Sequence, residues 1–185
     1  MDHYADLTLK PDPEFALTTL MSVLMQKLHR ALALAQSTGV GVSFPAAAER
    51  TLGATLRLHA GKEDLEQLLA TEWLTGMREL VQTRAPAMVP AACGYRRVQR
   101  VQPKSAVERI RRRHMRRHNV SVEEANQRIP DAAVRRLRAP YVEMASSSTA
   151  QRFRLFILQG ELLDQPIYGK FSTYGLAQEA TIPWF

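Results

Sequence analysis

From Leu17 to Ala35 the chain sets Leu17, Leu20, Met21, Leu24, Leu28 and Leu32 at helical spacing, which predicts a long amphipathic helix, ended near Gly39, with an apolar stripe that must be buried. The flanking segments predict what it is buried against. Tyr4 to Leu9 carries Tyr4, Ala5, Leu7 and Leu9 in a strand-like pattern before the Pro11-Asp12-Pro13 break. Val40 to Phe44 is apolar enough for a strand, and Thr55 to His59 forms another between Gly53 and Gly61. Lys62 to Leu80 has Leu65, Leu68, Leu69 and Leu74 at helical intervals, weakened in the middle by Thr71 and Gly76, and Met88 and Val89 supply a last strand before Pro90. The order β-α-β-β-α-β predicts an α+β protein whose residues 1–92 form a ferredoxin-like sheet with helices on one face. RNA-recognition motifs share that arrangement and stack bases on aromatic residues of the central strands. Here the third strand reads Ala54-Thr55-Leu56-Arg57-Leu58-His59 and offers no such platform.

Composition changes after Pro90, so a boundary falls between Ala91 and Gly94, and residues 93–185 form a smaller α+β domain. Tyr95 to Val101 alternates as a strand does. Ser105 suits the N-cap of a helix over Val107 to His118, with Glu108 three residues on and Asn119 as the C-cap. Ser121 opens a second helix, with Glu124 in the matching position and a stop around Pro130. Tyr141 to Met144, Arg152 to Leu158 and Lys170 to Tyr174 read as three more strands.

Charge is segregated. Tyr95 to Arg138 holds 14 of the 25 Lys and Arg but four of the 18 acids, a net of +10 against −3 for the remainder. Such asymmetry is the footprint of a polyanion-binding region on an ordinary scaffold. In the basic helix Arg109, Arg112, Arg113, Arg116 and Arg117 fall at i, i+3, i+4, i+7 and i+8, covering an arc of roughly 140° and a length of about 12 Å. A solvated face of this kind normally mixes signs, whereas Glu108 is the helix's only acid. Like charges four residues apart repel, and a polyanion relieves that repulsion. The helix lacks the aromatic apolar face of an interfacial helix, so nucleic acid rather than a membrane is the expected partner. The single cysteine, Cys93, makes no internal disulfide, no run reaches the roughly 18 apolar residues of a membrane span, and the opening Met1-Asp2-His3-Tyr4 is acidic where a signal peptide is basic. A cytoplasmic protein is expected.

Several side chains carry chemistry of two possible kinds. His29 lies off the centre of the first helix's apolar stripe, either as a surface or satisfied core residue or as a proton acceptor near neutral pH. Arg100 and Gln102 lie two apart and share a face of an extended backbone, either as ordinary strand residues or as readers of guanine and adenine edges. Ser146 and Ser148 share a face within Ser146-Ser147-Ser148-Thr149, as a polar turn or as two hydroxyls meeting one ligand. Phe153 shares a face with Leu155 and Ile157, for core packing or base stacking, and Tyr174 in Ser172-Thr173-Tyr174-Gly175-Leu176 is equally open. His114 and His118 stand four apart, but no Cys or carboxylate cluster supplies further ligands and the neighbouring arginines would repel a cation, so no metal and no other cofactor is expected.

Taken together, Met1-Asp2-His3-Tyr4, Pro11-Asp12-Pro13-Glu14-Phe15, Leu20-Met21-Ser22-Val23-Leu24, Lys27-Leu28-His29, Arg100-Val101-Gln102, Arg111-Arg112-Arg113, Met115-Arg116-Arg117-His118, Phe153-Arg154-Leu155-Phe156-Ile157, Tyr174-Gly175-Leu176 and Pro183-Trp184-Phe185 resemble the type I-F CRISPR repeat-processing endoribonucleases, the Csy-four group of the Cas-six superfamily. The likeness runs the length of the chain. It implies an enzyme that binds the hairpin of each CRISPR repeat, cuts at the 3′ base of the stem without metal, leaves a 2′,3′-cyclic phosphate and a 5′-hydroxyl, and stays on the guide RNA with the other subunits of the surveillance complex. It implies His29 as general base, Ser146 as the residue holding the ribose 2′-hydroxyl, Tyr174 as the positioner of His29, and Ser148 in support. It further implies Arg113, Arg116 and Arg117 as the chief contacts of the arginine helix in the hairpin's major groove. Arg100 and Gln102 would read a guanine and an adenine, and Phe153 would stack under the terminal base pair. The chain departs from the family pattern at Glu179 and Ala180, where glycines are usual, and at Arg152, where a histidine is. A non-catalytic hairpin-binding module and a DNA-binding regulator are the rival readings of the same basic helix.

Overall fold

The computed structural model of the chain describes residues 1–102, 107–129, 139–146 and 151–185, with the side chains of 107–109 left aside. The chain forms two compact units, Met1–Val101 with Ala139–Phe185, and Gln102–Arg138. It is an α+β protein built on antiparallel sheets.

In the larger unit the first sheet has the order β2-β3-β1-β4. Its strands are β1 (His3–Leu9), β2 (Gly41–Ser43), β3 (Thr55–Ala60) and β4 (Val81–Thr83), and β5 (Ala87–Met88) also pairs with β1. Ala5, Leu7 and Leu9 of β1 and Leu56, Leu58 and Ala60 of β3 are buried on one face, as a period of two requires. Two helices, α1 (Leu17–Leu34) and α2 (Lys62–Ala70), complete this half. The second sheet has the order β7-β8-β6-β9, from β6 (Gly94–Val101), β7 (Tyr141–Ala145), β8 (Arg152–Leu163) and β9 (Ile182–Trp184). Leu20, Met21, Leu24, Met25, Leu28 and Leu32 of α1 are buried in one cluster that includes side chains of both sheets.

Three expectations need correction. The helix expected over Lys62 to Leu80 stops at Ala70, because the Thr71 hydroxyl and N–H both turn back to the Leu68 carbonyl, at 2.7 and 3.2 Å. Gly76 then takes a positive φ of 78°, and the chain enters β4, so the strand expected at Met88 and Val89 is preceded by an earlier one; β4 pairs with Leu7–Leu9 and β5 with His3 and Tyr4. Lys170 to Tyr174 is not a strand; that role falls to β9, which pairs with Gly94–Arg96 despite Pro183. Proline is admitted there because β9 is an edge. The first helix spans Leu17–Leu34 with Ala35 as its C-cap, in line with the sequence, and it closes ahead of Gly39 where Gln36 adopts φ 50° and the Ser37 N–H returns to the Leu32 carbonyl at 3.0 Å.

On the other face of the first sheet, Asp6 and Arg57 are opposed in register and form a two-pronged ion pair at 2.7 and 3.0 Å. The Arg57 guanidinium lies over the rings of Tyr4 and Phe185, 4.6 and 4.3 Å from their centroids, and donates to the Phe185 carbonyl. Next to it His59 is fully buried and shares a 2.8 Å hydrogen bond with Ser43. Burial first, and the Arg57 charge second, lower its pKa from 6.5 to about 3.

The smaller unit holds α3 (Val107–His118) and α4 (Val122–Arg128). Asn119 takes φ 49° after α3, and the Ser121 hydroxyl accepts from the Glu124 N–H at 3.2 Å to cap α4, both as the sequence predicts. Ser105 and Pro130, expected as cap and stop, lie outside the described residues. The Arg111 Nε donates to the Ile129 carbonyl at 2.9 Å and ties α3 to the end of α4.

The fold holds His59 neutral, whereas the unfolded chain protonates it below about pH 6.5. Its contribution is complete above that pH and is lost as the pH falls toward 3, at up to about 1.4 kcal/mol per unit. Urea titrations of the wild type and His59→Gln are expected to diverge in slope, the wild type losing stability faster between about pH 6 and 4. Parallel curves would show that His59 is not the group responsible.

Candidate functional site

His29 sits half-buried on α1, one residue past the fully buried Leu28. Its Nδ1 lies 3.2 Å from the carbonyl oxygen of Thr173. A carbonyl only accepts, so Nδ1 carries the hydrogen and the lone pair of the neutral ring is on Nε2. The Tyr174 ring stacks on the imidazole, with centroids 4.0 Å apart and planes 8° from parallel. One backbone group and one aromatic face therefore fix both the tautomer and the plane of the histidine.

The turn that presents Thr173 and Tyr174 is held from three sides. The Phe171 N–H donates to Thr38, the Val42 N–H to Gly175, and the Ala177 N–H to Val98 of β6, at 3.0, 2.9 and 3.1 Å. Within it the N–H groups of Ser172 and Gly175 donate to Leu176 and Ser172. Gly175 has φ 70°, and a Cβ there would lie 2.5 Å from Val42 Cγ1. Both the backbone angle and the close approach to β2 thus exclude a side chain.

Ser146 follows β7, which packs along α1, and its N–H donates to the Gln151 carbonyl at 2.9 Å. The Ser22 hydroxyl and the Gln26 side-chain oxygen, both on α1, accept from the N–H groups of Glu143 and Ala145 at 3.0 and 2.8 Å. Ser148 lies outside the described residues. Phe153 is half-buried, packs against the core, and faces the exposed Arg100, whose guanidinium is 5.6 Å from the ring centroid.

In the smaller unit Arg112, Arg113, Arg116 and Arg117 line a shared surface depression. Arg109 belongs to α3, with its side chain among those left aside, and Gln102 is exposed. The rings of His114 and His118 are 4.5 Å apart. Among the described residues no three His, Cys, Asp or Glu side chains are grouped to hold a metal ion.

The structure thus brings together His29 with Tyr174, Arg100 with Phe153, and four arginines of α3. Sequence reasoning missed Thr173, which acts through its backbone and leaves no side-chain signal. It also missed Ser22 and Gln26, whose signal was a polar stripe at i, i+4 and i+7 ending on His29. Arg111 belongs to the arginine run by type but supports α4 rather than the shared depression.

These features define an α+β protein with a stacked histidine–tyrosine pair on one unit and an arginine-lined surface on another. Residues 4–185 match the model of the Csy4 family of CRISPR-associated proteins, and the chain belongs to that family. It is 51% identical over 187 residues to the CRISPR-associated endonuclease Cas6/Csy4 of Pseudomonas aeruginosa (strain UCBPP-PA14). It is 42% identical over 185 residues to the protein of the same name from Escherichia coli (strain UTI89 / UPEC). Both matches cover 100% of this chain and of the relative. No helix among the described residues is long and apolar enough to cross a membrane.

The stack makes a measurable prediction. A ring face 4.0 Å away shields the carbon-bound protons of His29, so Tyr174→Ala is expected to move their NMR signals downfield while Tyr174→Phe leaves them nearly in place. Unchanged signals in both variants would mean that the rings do not stack in solution.

Proposed function

We propose that this chain is a metal-independent endoribonuclease that binds the hairpin of CRISPR repeat RNA and cuts at the 3′ base of its stem, and that it stays on the mature guide RNA with the other subunits of a type I-F surveillance complex in the cytoplasm. Membership of the Csy4 family and the name endonuclease carried by two full-length relatives support the reaction class. The observation that carries the mechanism is the hydrogen bond from His29 Nδ1 to Thr173, which leaves Nε2 as the proton acceptor.

In this reading Nε2 takes the proton of the ribose 2′-hydroxyl, which the Ser146 hydroxyl holds for attack. The O2′–P bond forms, the P–O5′ bond breaks, and the products are a 2′,3′-cyclic phosphate and a 5′-hydroxyl that gains a proton. Tyr174 keeps the imidazole in plane, and Ser148 supports the site. Substrate grip is assigned to the arginine-rich helix, with Arg113, Arg116 and Arg117 as chief contacts and Arg109 and Arg112 beside them. A short hairpin is open at its ends, which admits a helix to the otherwise deep A-form groove. Arg100 and Gln102 read a guanine and an adenine through paired hydrogen bonds, and Phe153, capped by Arg100, stacks under the last base pair and sets where the cut falls. Residues 1–92 serve as a ferredoxin-like domain that carries the base. Residues 93–185 supply the RNA-binding surface and the hydroxyls.

The test is cleavage of a panel of synthetic CRISPR-repeat hairpins by wild type and His29→Ala. Removing the proton acceptor is expected to slow cleavage by at least about 10²-fold while hairpin affinity stays within about twofold, since a general base contributes little to ground-state binding. In the same assay chelator is expected to leave the wild-type rate unchanged. Tight binding without any product would favour the non-catalytic module, and tighter binding to duplex DNA a regulator.

A further inference from the structure

β7 is an edge strand of the second sheet, and alternate N–H groups of an edge strand point away from its neighbour. Those of Glu143 and Ala145 do so, and both are met by α1: the Ser22 hydroxyl and the Gln26 amide oxygen accept from them at 3.0 and 2.8 Å. Ser22 uses its own hydrogen on the Thr18 carbonyl, 2.8 Å away. The next inward-facing group, the Ser146 N–H, turns back to Gln151 at 2.9 Å, as the alternation requires.

The spacing of these two ties has a geometric consequence. Four residues of helix rise about 6.0 Å and two residues of strand about 6.6 Å. Helix and strand therefore run side by side in step, with Ser22 level with Glu143 and Gln26 level with Ala145. One more increment takes the helix to His29, about 4.5 Å beyond Gln26, and the strand to Ser146, about 3.3 Å beyond Ala145. Ser22, Gln26 and His29 also share one helical face, spread over about 60°. A slip of the strand by one residue would turn Ser146 to the opposite side.

We infer that Gln26 is a positioning residue: by accepting the Ala145 N–H, with Ser22 as the lower rung, it sets Ser146 at the height of His29. The inference rests on the reading of His29 and Ser146 given above. It assigns the alignment of the proton acceptor and the hydroxyl to a side chain that acts through the backbone of β7.

The test uses the hairpin that wild-type protein cuts fastest and a cycle of Gln26→Met, Ser146→Ala and the double variant. Methionine keeps the length of glutamine and loses the acceptor. Gln26→Met is expected to slow single-turnover cleavage about 10- to 100-fold, the scale of a misplacement near 1 Å, with hairpin affinity within about twofold. Because Gln26 acts through Ser146, the double variant is expected to be no slower than Ser146→Ala alone. Gln26→Glu retains an acceptor and is expected to recover most of the rate. Full activity of Gln26→Met, multiplying effects in the double variant, no recovery by Gln26→Glu, or affinity lost in step with rate would each overturn the inference. If Gln26→Met does not fold, Ser22→Ala takes its place in the cycle, with an expected loss of about three- to tenfold and the same non-additivity. Wild type that leaves every hairpin uncut, or Ser146→Ala that cuts at full rate, removes the functional reading and this inference together. With those controls as expected, a fully active Gln26→Met removes this inference alone.

Discussion

The burial of α1 is the constraint on which the rest of the larger unit depends. Its six buried side chains share one cluster with residues of both sheets, so the helix is the common wall of two layers that, among the described residues, no β-ladder joins directly. A fully buried leucine or methionine is worth about 1.5–3 kcal/mol, and that sum is what holds the helix's polar edge still. Ser22, Gln26 and His29 lie on that edge. A further tie crosses between the sheets where Gln159 of β8 pairs its amide with both backbone groups of Phe44, at 2.9 and 3.2 Å. The histidine therefore sits on a rigid element, while its partner Tyr174 sits on a turn fixed at Thr38, Val42 and Val98.

The legible parts of the sequence were those governed by a repeating pattern. Alternation in Tyr4 to Leu9 and Tyr95 to Val101, and helical spacing from Leu17 onward, describe elements whose burial follows directly from side-chain direction. What was not legible depended on single backbone groups. The stop of α2 at Thr71 comes from one hydroxyl competing for a carbonyl, and β9 was hidden by Pro183, which weighs against a strand unless its edge position is known. Lys170 to Tyr174 has the apolar and β-branched character of a strand, yet the positive φ at Gly175 and the inward hydrogen bonds of Ser172 make it a turn. In the site, His29 and Tyr174 were visible by residue type, but their stacking joins positions 145 apart in the chain. Thr173 contributes a carbonyl that any residue would supply.

The arginine helix divides its labour by face. Arg112, Arg113, Arg116 and Arg117 gather on one side, and Arg111, on another, hydrogen-bonds the carbonyl that ends α4.

The side chains that meet β7 have a second effect, on how molecules of this protein behave toward one another. A four-stranded sheet ends in two edges, each a template on which a foreign strand can add and begin aggregation. Here the outward donors of β7 at Glu143 and Ala145 are already taken by α1, and β9 is three residues long with Pro183, which has no N–H to offer, at its centre. At both rims of the second sheet strand addition is thus opposed by means internal to the chain. A substitution that frees the β7 rim would therefore trade alignment for stickiness at the same stroke.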